Sequence, residues 1–173
     1  MDMRLWLVRL VWVVCTICSI VPAPAFAQNG LGSEEEVKKA AATLFDEGDY
    51  TKAYKLYSQL LATYPKDPNY NYRFGVCKLF SQADKDEALT FLEKASKDPG
   101  AEKDVFFYLG RAYHLNYRFD DAIRAYERFK KEAGAKNAER LKVDSHIASC
   151  RTGKKLLKSI TDITRGKQKK MLY

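Results

Sequence analysis

Residues 106–126 read FFYLGRAYHLNYRFDDAIRAY, and this stretch decides the fold. A small residue, Gly110, lies in its first half, and a second, Ala122, lies in its second half. Large apolar and aromatic residues recur at three and four positions from each other, the spacing of one helix face. The pair Asn116-Tyr117 stands between the two halves. The stretch therefore predicts two antiparallel helices joined by a tight turn.

The same arrangement occurs twice more, upstream of this stretch. Two series of small residues share its period, one in each helix of the pair: Ala41, Gly75 and Gly110, and Ala53, Ala88 and Ala122. Successive members lie 34 or 35 residues apart. Small residues let two helix backbones approach closely, and one pair cannot bury its apolar face alone. The sequence therefore predicts helix pairs that stack into a solenoid.

These residues resemble the tetratricopeptide repeat family. The third unit is the best match, through Phe106, Leu109, Gly110, Tyr113, Phe119, Ala122 and Tyr126. We place the units at 34–67, 68–102 and 103–136. The third departs from the family at Asn116-Tyr117, where Gly is common, and the second has Lys78 where an aromatic is common. The resemblance implies an all-α fold, with three helix-turn-helix pairs in a right-handed α-solenoid.

The segment after the third unit is predicted to close the solenoid. Over 137–160, a loose apolar stripe on an otherwise polar helix is typical of a capping helix. Residues 161–173 are predicted to form a basic flexible tail. Residues 135–173 hold eleven Lys or Arg against three Asp or Glu. Three interpretations of the tail stay open: a solvated terminus, a linker to another domain, and an electrostatic contact with anionic lipid or another envelope component.

The N-terminus predicts export. Residues 1–27 begin with a basic segment, continue with an apolar run over 10–21 and end in an A-x-A motif. This order is typical of a cleavable signal peptide, with cleavage between Ala27 and Gln28. Residues 28–33 would then form a short lead. We expect an exported, periplasmic protein, for which association with the outer membrane stays open, and a retained membrane anchor is the alternative.

The cysteines leave two questions open. Cys15 and Cys18 lie before the predicted cleavage position and allow a lipid anchor as a further alternative. Cys77 and Cys150 lie after it and could pair in an oxidising compartment. The repeat interpretation places these two in layers that are not adjacent, beyond the reach of a disulfide. It therefore favours two small buried thiols.

The sequence gives little indication of catalysis. His114 and His146 have no second histidine at metal-binding spacing, and neither a phosphate-binding glycine loop nor a G-x-S-x-G motif occurs. His146 and Cys150 share a helix face, but two ligands do not make a zinc site. We therefore expect a non-enzymatic protein with no catalytic, cofactor-binding or metal-binding residues. Despite the net charge of +8, an exported chain is not expected to bind nucleic acid.

The family resemblance implies a concave groove lined by the first helix of each pair. In that family, the second, fifth, ninth, twelfth and thirteenth residues of each repeat face the groove. The residues among them best suited to a protein or peptide partner are Lys38, Asn69, Tyr72, Phe107, Arg111 and His114. Arginine and aromatic residues are common interface anchors, and an extended or helical peptide fits such a surface. The family's carboxylate clamp is not matched, because Ala42 replaces Asn and Asp104 replaces Lys.

Residues 107–123, with the signal peptide and the following helix, resemble a narrower group. In large Bacteroidetes envelope proteins, a tetratricopeptide segment precedes a β-propeller-like segment and an OmpA-like peptidoglycan-binding domain. The resemblance runs to about Thr164, and this sequence contains neither later segment. It implies a scaffold for assembly or anchoring of an outer-membrane or periplasmic complex. The alternative is a spacer module, the front part of a larger OmpA-like protein.

Overall fold

The computed structural model describes residues 33–81 and 85–171, which form helices joined by short turns. The helices in this part are α1 Glu34–Asp46, α2 Tyr50–Thr63, α3 Pro68–Phe80, α4 Lys85–Ala95, α5 Val105–Leu115, α6 Phe119–Ala133, α7 Ala135–Arg140 and α8 Val143–Met171. The predicted all-α class is confirmed for these residues. The predicted signal peptide and its cleavage position between Ala27 and Gln28 lie outside them.

The starts of the first three helices are set by local side chains. Ser33 and Glu36 form a reciprocal capping box, in which the Ser33 backbone N–H donates to the Glu36 carboxylate at 2.6 Å. Asp49 and Asp67 cap α2 and α3 by accepting from backbone N–H groups three residues ahead. Pro68 then occupies the first position of α3, where no hydrogen bond is lost.

Each of the three predicted units contains one helix pair, and each helix packs against its neighbours in the chain. The small residues lie at the pair interfaces. A Cβ added to Gly75 would lie 2.8 Å from Leu92 Cγ, and one added to Gly110 would lie 2.7 Å from Tyr126 Cδ1. The first helix of a pair therefore approaches the second too closely for any larger residue at these places.

The C-terminal segment differs from the prediction of one helix followed by a flexible tail. Lys142 has a left-handed φ of 49°, which separates the short α7 from α8. Helix α8 then continues to Met171, through most of the segment expected to be a tail. The physical reason is that residues 143–171 contain no proline and keep apolar residues at helical spacing beyond residue 155. Among the described helices, none is both long and apolar enough to cross a bilayer.

The two cysteines after the predicted cleavage position are free thiols. Cys77 lies in a cluster built by α1–α3, and Cys150 lies in a second cluster that extends from α3 to α8. Both side chains are fully buried. Burial raises the pKa of Cys77 to about 12 and raises the pKa of Cys150 in the same direction. They are therefore unreactive thiols that pack as small apolar side chains.

Candidate protein-binding groove

The six predicted groove residues all lie on the first helix of a pair, but they differ in how far they are exposed. Lys38 is exposed, and three others are partly buried: Asn69, Arg111 and His114. Tyr72 and Phe107 are only 2% and 4% exposed. The structure thus differs from the expectation at these two positions, since their rings lie in the core.

The neighbours of Tyr72 and Phe107 explain why they are covered. The Tyr72 ring lies between Phe45 and Tyr108, with ring centroids 6.1 and 6.0 Å away. The Phe107 ring meets the His146 ring of α8 at 5.5 Å. Adjacent first helices therefore fill the space in front of Tyr72, and the capping helix fills the space beside Phe107. Neither ring can anchor a ligand without leaving the core.

A polar cleft of about 300 Å³ lies beside Lys38 and Asn69. Its centre is Arg73, whose Nε and Nη2 each lie 2.9 Å from Glu102 Oε1. Arg73 Nη1 also donates to the Tyr57 hydroxyl at 3.1 Å. The Asn69 side-chain oxygen accepts from the Glu102 backbone N–H at 3.0 Å. These bonds join α2 and α3 to the loop before α5, so much of the cleft's polarity is used to hold the layers together.

The sequence predicts only some of the residues that line this cleft. Lys38 and Asn69 were predicted groove residues, and both line it. Arg73 was missed because its place, the sixth of the first helix, is not among the family's groove places. The one signal for Arg73 in the sequence is that it is one of only two charged residues, with Lys78, in a helix rich in aromatic and apolar residues. Arg73 is half-buried, and its guanidinium also lies 5.1 Å from the centre of the Phe45 ring.

A row of exposed and half-exposed rings lies further along the first helices. We call Tyr50, Phe80 and Tyr108 the aromatic row. Phe80 stacks on Tyr50 with centroids 4.6 Å apart and meets Tyr108 at 6.1 Å. The Arg111 guanidinium lies 4.8 Å from the Phe80 ring centre. Phe80 is 39% exposed and Leu115 is 41% exposed, so an apolar surface with one cation faces solvent here.

Only some residues of this surface could be predicted from the sequence. Phe80 and Leu115 both occupy the thirteenth place of a first helix, one of the family's groove places. Tyr50 and Tyr108 occupy none of them. They join the row because the turn after α1 carries Tyr50 towards Phe80 and because Tyr108 lies one position beyond the buried Phe107. Only the packing of three helices reveals this row.

Two histidines lie beside Arg111. His146 stacks on the Tyr126 ring at 5.4 Å, and His114 meets the Phe119 ring at 5.6 Å. Burial lowers the pKa of both imidazoles, and the positive charge of Arg111 lowers it further. Cys150 is buried on the same helix as His146. Within residues 33–81 and 85–171, no group of three or more His, Cys, Asp or Glu side chains could hold a metal ion.

Comparison with known proteins identifies the repeats. The tetratricopeptide repeat family model matches residues 39–67 and 104–133, which correspond to the first and third units. No curated protein sequence matches the chain significantly.

Solved structures share the fold. The crystal structure of MamA protein is 19% identical with a TM-score of 0.58, covering 77% of this chain and 70% of that chain. The Yersinia enterocolitica chaperone SycD, solved with a peptide of the translocator YopD, is 16% identical with a TM-score of 0.57, covering 73% and 98%. The Sgt2 domain of Aspergillus fumigatus is 19% identical with a TM-score of 0.54, covering 78% and 83%. The first and third units therefore match the tetratricopeptide repeat model, and the chain shares the helical fold of these solved structures.

Proposed function

We propose that this chain is a non-enzymatic scaffold that binds a protein or peptide in its groove. The observation that carries the proposal is the aromatic row with Arg111, where Phe80 is 39% exposed. Aromatic and arginine side chains at a concave surface are the usual anchors of an interface. Structures of similar fold support it, because SycD was solved with a peptide of YopD and PcrH with the chaperone-binding region of PopD.

The chemistry of the row indicates what kind of segment it would bind. The rings of Phe80 and Tyr108 and the side chain of Leu115 offer apolar contact, and Arg111 offers a cation beside them. A peptide with an apolar side chain flanked by a carboxylate complements both features. Lys38, at the other end of the groove, forms an exposed pair with Glu35 at 3.7 Å, which contributes little and can be exchanged for a ligand carboxylate.

The test places a photo-crosslinking phenylalanine analogue at Phe80 in cells that express the protein. Tyr64 is the matched control, since it is aromatic, equally exposed at 39%, and lies at the end of α2. We expect protein adducts from position 80 that are absent from position 64, and Arg111→Ala should reduce them several-fold. Identical adducts from both positions, or adducts unaffected by Arg111→Ala, would refute the groove.

The proposed setting is the cell envelope, where the scaffold would assist assembly or anchoring of an outer-membrane or periplasmic complex. Its support is the signal-like sequence of residues 1–27 and the resemblance to Bacteroidetes envelope proteins. Fractionation with N-terminal sequencing tests it, and a mature chain that begins at Gln28 in the periplasmic or outer-membrane fraction is expected. A chain found only in the cytoplasm with Met1 intact would contradict it.

The second candidate is a spacer that positions other domains of a larger OmpA-like protein. The ion pair between Arg73 and Glu102 favours it, because it makes the layers rigid without any ligand. A spacer predicts that Arg111→Ala and Phe80→Ala leave every partner bound. The crosslinking experiment therefore separates the two functions.

A further inference from the structure

The outer half of α8 carries an apolar stripe with no neighbour in the described part of the chain to cover it. Leu156, Ile160 and Ile163 are 59%, 61% and 59% exposed. Steps of four and three residues place these side chains on one face of the helix. Leu157 is also exposed, but it lines a cleft of about 630 Å³ beside Tyr117. Three large apolar side chains in line on one helix are more than scattered surface residues.

The inner half of α8 fixes the direction in which this stripe leaves the body. Val143 and Cys150 are fully buried against the preceding helices. Gly153 lies so close to α6 that an added Cβ would be 2.7 Å from the Phe119 ring. Lys154 Nζ then donates to both carboxylate oxygens of Asp120, at 2.6 and 2.8 Å. The stripe therefore begins directly after Lys154, whose ion pair holds the helix to the body, and it lies on the face opposite the cleft that the helix forms with α6.

The charge of this helix is strongly one-sided. Residues 151–171 contain eight Lys or Arg and a single acid, Asp162. Since successive helical residues are about 100° apart, Lys167 lies in line with the stripe one turn beyond Ile163, and Lys155 lies about 80° to one side of it. Lys154, Lys158 and Arg165 lie on the opposite face, where they line the cleft beside Asp120. An apolar face on a helix that is otherwise rich in lysine and arginine is the pattern of a helix that lies in a membrane surface.

The same charge argues against a second copy as the occupant. Pairing two such helices would place side by side two segments that each carry seven net positive charges. The three stripe residues and Leu157 are also far fewer than the roughly 20–30 residues a side of a stable interface. The positive charge favours an anionic partner. A lipid bilayer can accept a single exposed helix face, because its fluid surface does not need a groove to bind in.

We propose that Leu156, Ile160 and Ile163 insert into the surface of an anionic lipid bilayer, with Lys155 and Lys167 beside the lipid phosphates. The body of the protein would then be held at the membrane by α8 while its groove stays open. This binding does not rest on the proposed function of the groove. The apolar contact makes it more than the attraction of a basic tail, because both neutral lipid and loss of the stripe should weaken the binding strongly.

The test uses the full chain and hydrogen exchange read by mass spectrometry over residues 156–171. This local readout is independent of any membrane contact made by the N-terminal segment. With vesicles of phosphatidylglycerol and phosphatidylcholine at low salt, we expect the amides of this segment to be protected. Pure phosphatidylcholine vesicles should give no protection, and added salt should weaken that given by anionic vesicles.

Two pairs of variants separate the apolar contribution from the charge. Leu156→Gln with Ile160→Gln and Ile163→Gln keeps helix propensity and should weaken vesicle binding by roughly a hundredfold. The matched control, Leu156→Ile with Ile160→Leu and Ile163→Leu, should bind as the parent does. Lys155→Gln with Lys167→Gln should weaken binding by roughly thirtyfold, whereas the same two positions changed to Arg should not.

Three outcomes would overturn the proposal. The first is an unprotected 156–171 segment on anionic vesicles. The second is equal protection by neutral vesicles. The third is a glutamine triple variant that binds anionic vesicles as tightly as the parent, together with equal protection of the segment by soluble polyglutamate. That result would show that the contact is purely electrostatic. Circular dichroism of the triple variant checks that α8 remains helical.

Discussion

Gly48 and Tyr117 occupy the same turn place in the first and third units, and both have a left-handed backbone, with φ of 79° and 57°. In these two units the turn between the helices of a pair takes this conformation with either residue present. Glycine adopts it without a steric cost, whereas tyrosine does not. The departure from the family pattern at Asn116-Tyr117 is therefore a departure in residue type and not in backbone geometry.

The first prediction follows from this pair. Tyr117→Gly should stabilise the fold by about 0.5–1 kcal/mol. It removes a left-handed backbone cost of about 1–2 kcal/mol, and the greater conformational entropy of glycine in the unfolded chain offsets part of that gain. The Tyr117 side chain is 71% exposed, so little packing is lost. Gly48→Ala should destabilise by about 1 kcal/mol, although no described atom lies within 4 Å of the added Cβ. Urea unfolding of both variants measures this, and two changes of the same sign would contradict it.

The second prediction concerns the close approach of α5 and α6. Gly110→Ala would place a methyl group 2.7 Å from the Tyr126 ring, which is fully buried. The ring cannot move away, because His146 stacks on it. We expect the free energy of unfolding to decrease by about 1–3 kcal/mol. In a free helix the same replacement of glycine by alanine would be stabilising. Gly100→Ala, in an exposed turn, is the control and should change thermal stability little.

The third prediction concerns Lys78, which is only 5% exposed. Its ammonium group lies over the rings of Tyr54 and Phe74 and pairs with Glu87. Burial alone would lower the pKa of Lys78, but the hydrogen bond to Glu87 and the nearby Tyr54 raise it overall. The lysine stays charged at neutral pH, so removing Glu87 leaves a buried charge without its partner.

Glu87→Gln should therefore destabilise the fold by about 1–2 kcal/mol, a figure reduced because Glu87 is half exposed. Lys78→Met should cost less, since it fills the same space between the rings without a charge to compensate. Chemical denaturation of the two variants and their combination decides this. A greater loss from Lys78→Met than from Glu87→Gln would be the opposite of what we expect.

The fourth prediction is a loss of stability in mild acid. The folded state lowers the pKa of His114 and His146 below the ordinary value of 6.5, chiefly through burial. As pH falls below that value, the unfolded chain takes up these protons first, so the free energy of unfolding decreases. The contribution is fully present above the unfolded pKa and is lost as pH falls through the folded pKa values.

Urea unfolding between pH 7 and pH 5 measures this effect, and His114→Gln with His146→Gln should flatten the pH dependence. Arg111→Gln should flatten it in part, because the arginine charge contributes to both shifts. Carboxylates are the other titrating groups, and Asp49 has a lowered pKa through its bonds to Lys52. Carboxylates affect stability mainly at pH values below about 5. If the free energy of unfolding of the double histidine variant depended on pH as steeply as that of the parent, the assignment to His114 and His146 would be contradicted.

The sequence by itself determined the repeat. The series Ala41, Gly75 and Gly110 could be read without coordinates, because only a small residue lets two helices of a pair approach, and such a requirement recurs with the period of the unit. The capping of α1 by Ser33 is local in the same sense, because it depends on residues within one turn. Local requirements of this kind leave a pattern in the chain.

Only the tertiary structure decided which groove residues are accessible. Tyr72 and Phe107 hold groove places, yet Phe45 and His146, from helices distant in sequence, cover their rings. The aromatic row arises in the same way, through Tyr50 at the start of a different helix. Exposure depends on what packs in front of a side chain, and repeat position does not encode that. The same reason separates the buried inner half of α8 from its exposed outer stripe, although both are apolar along one helix.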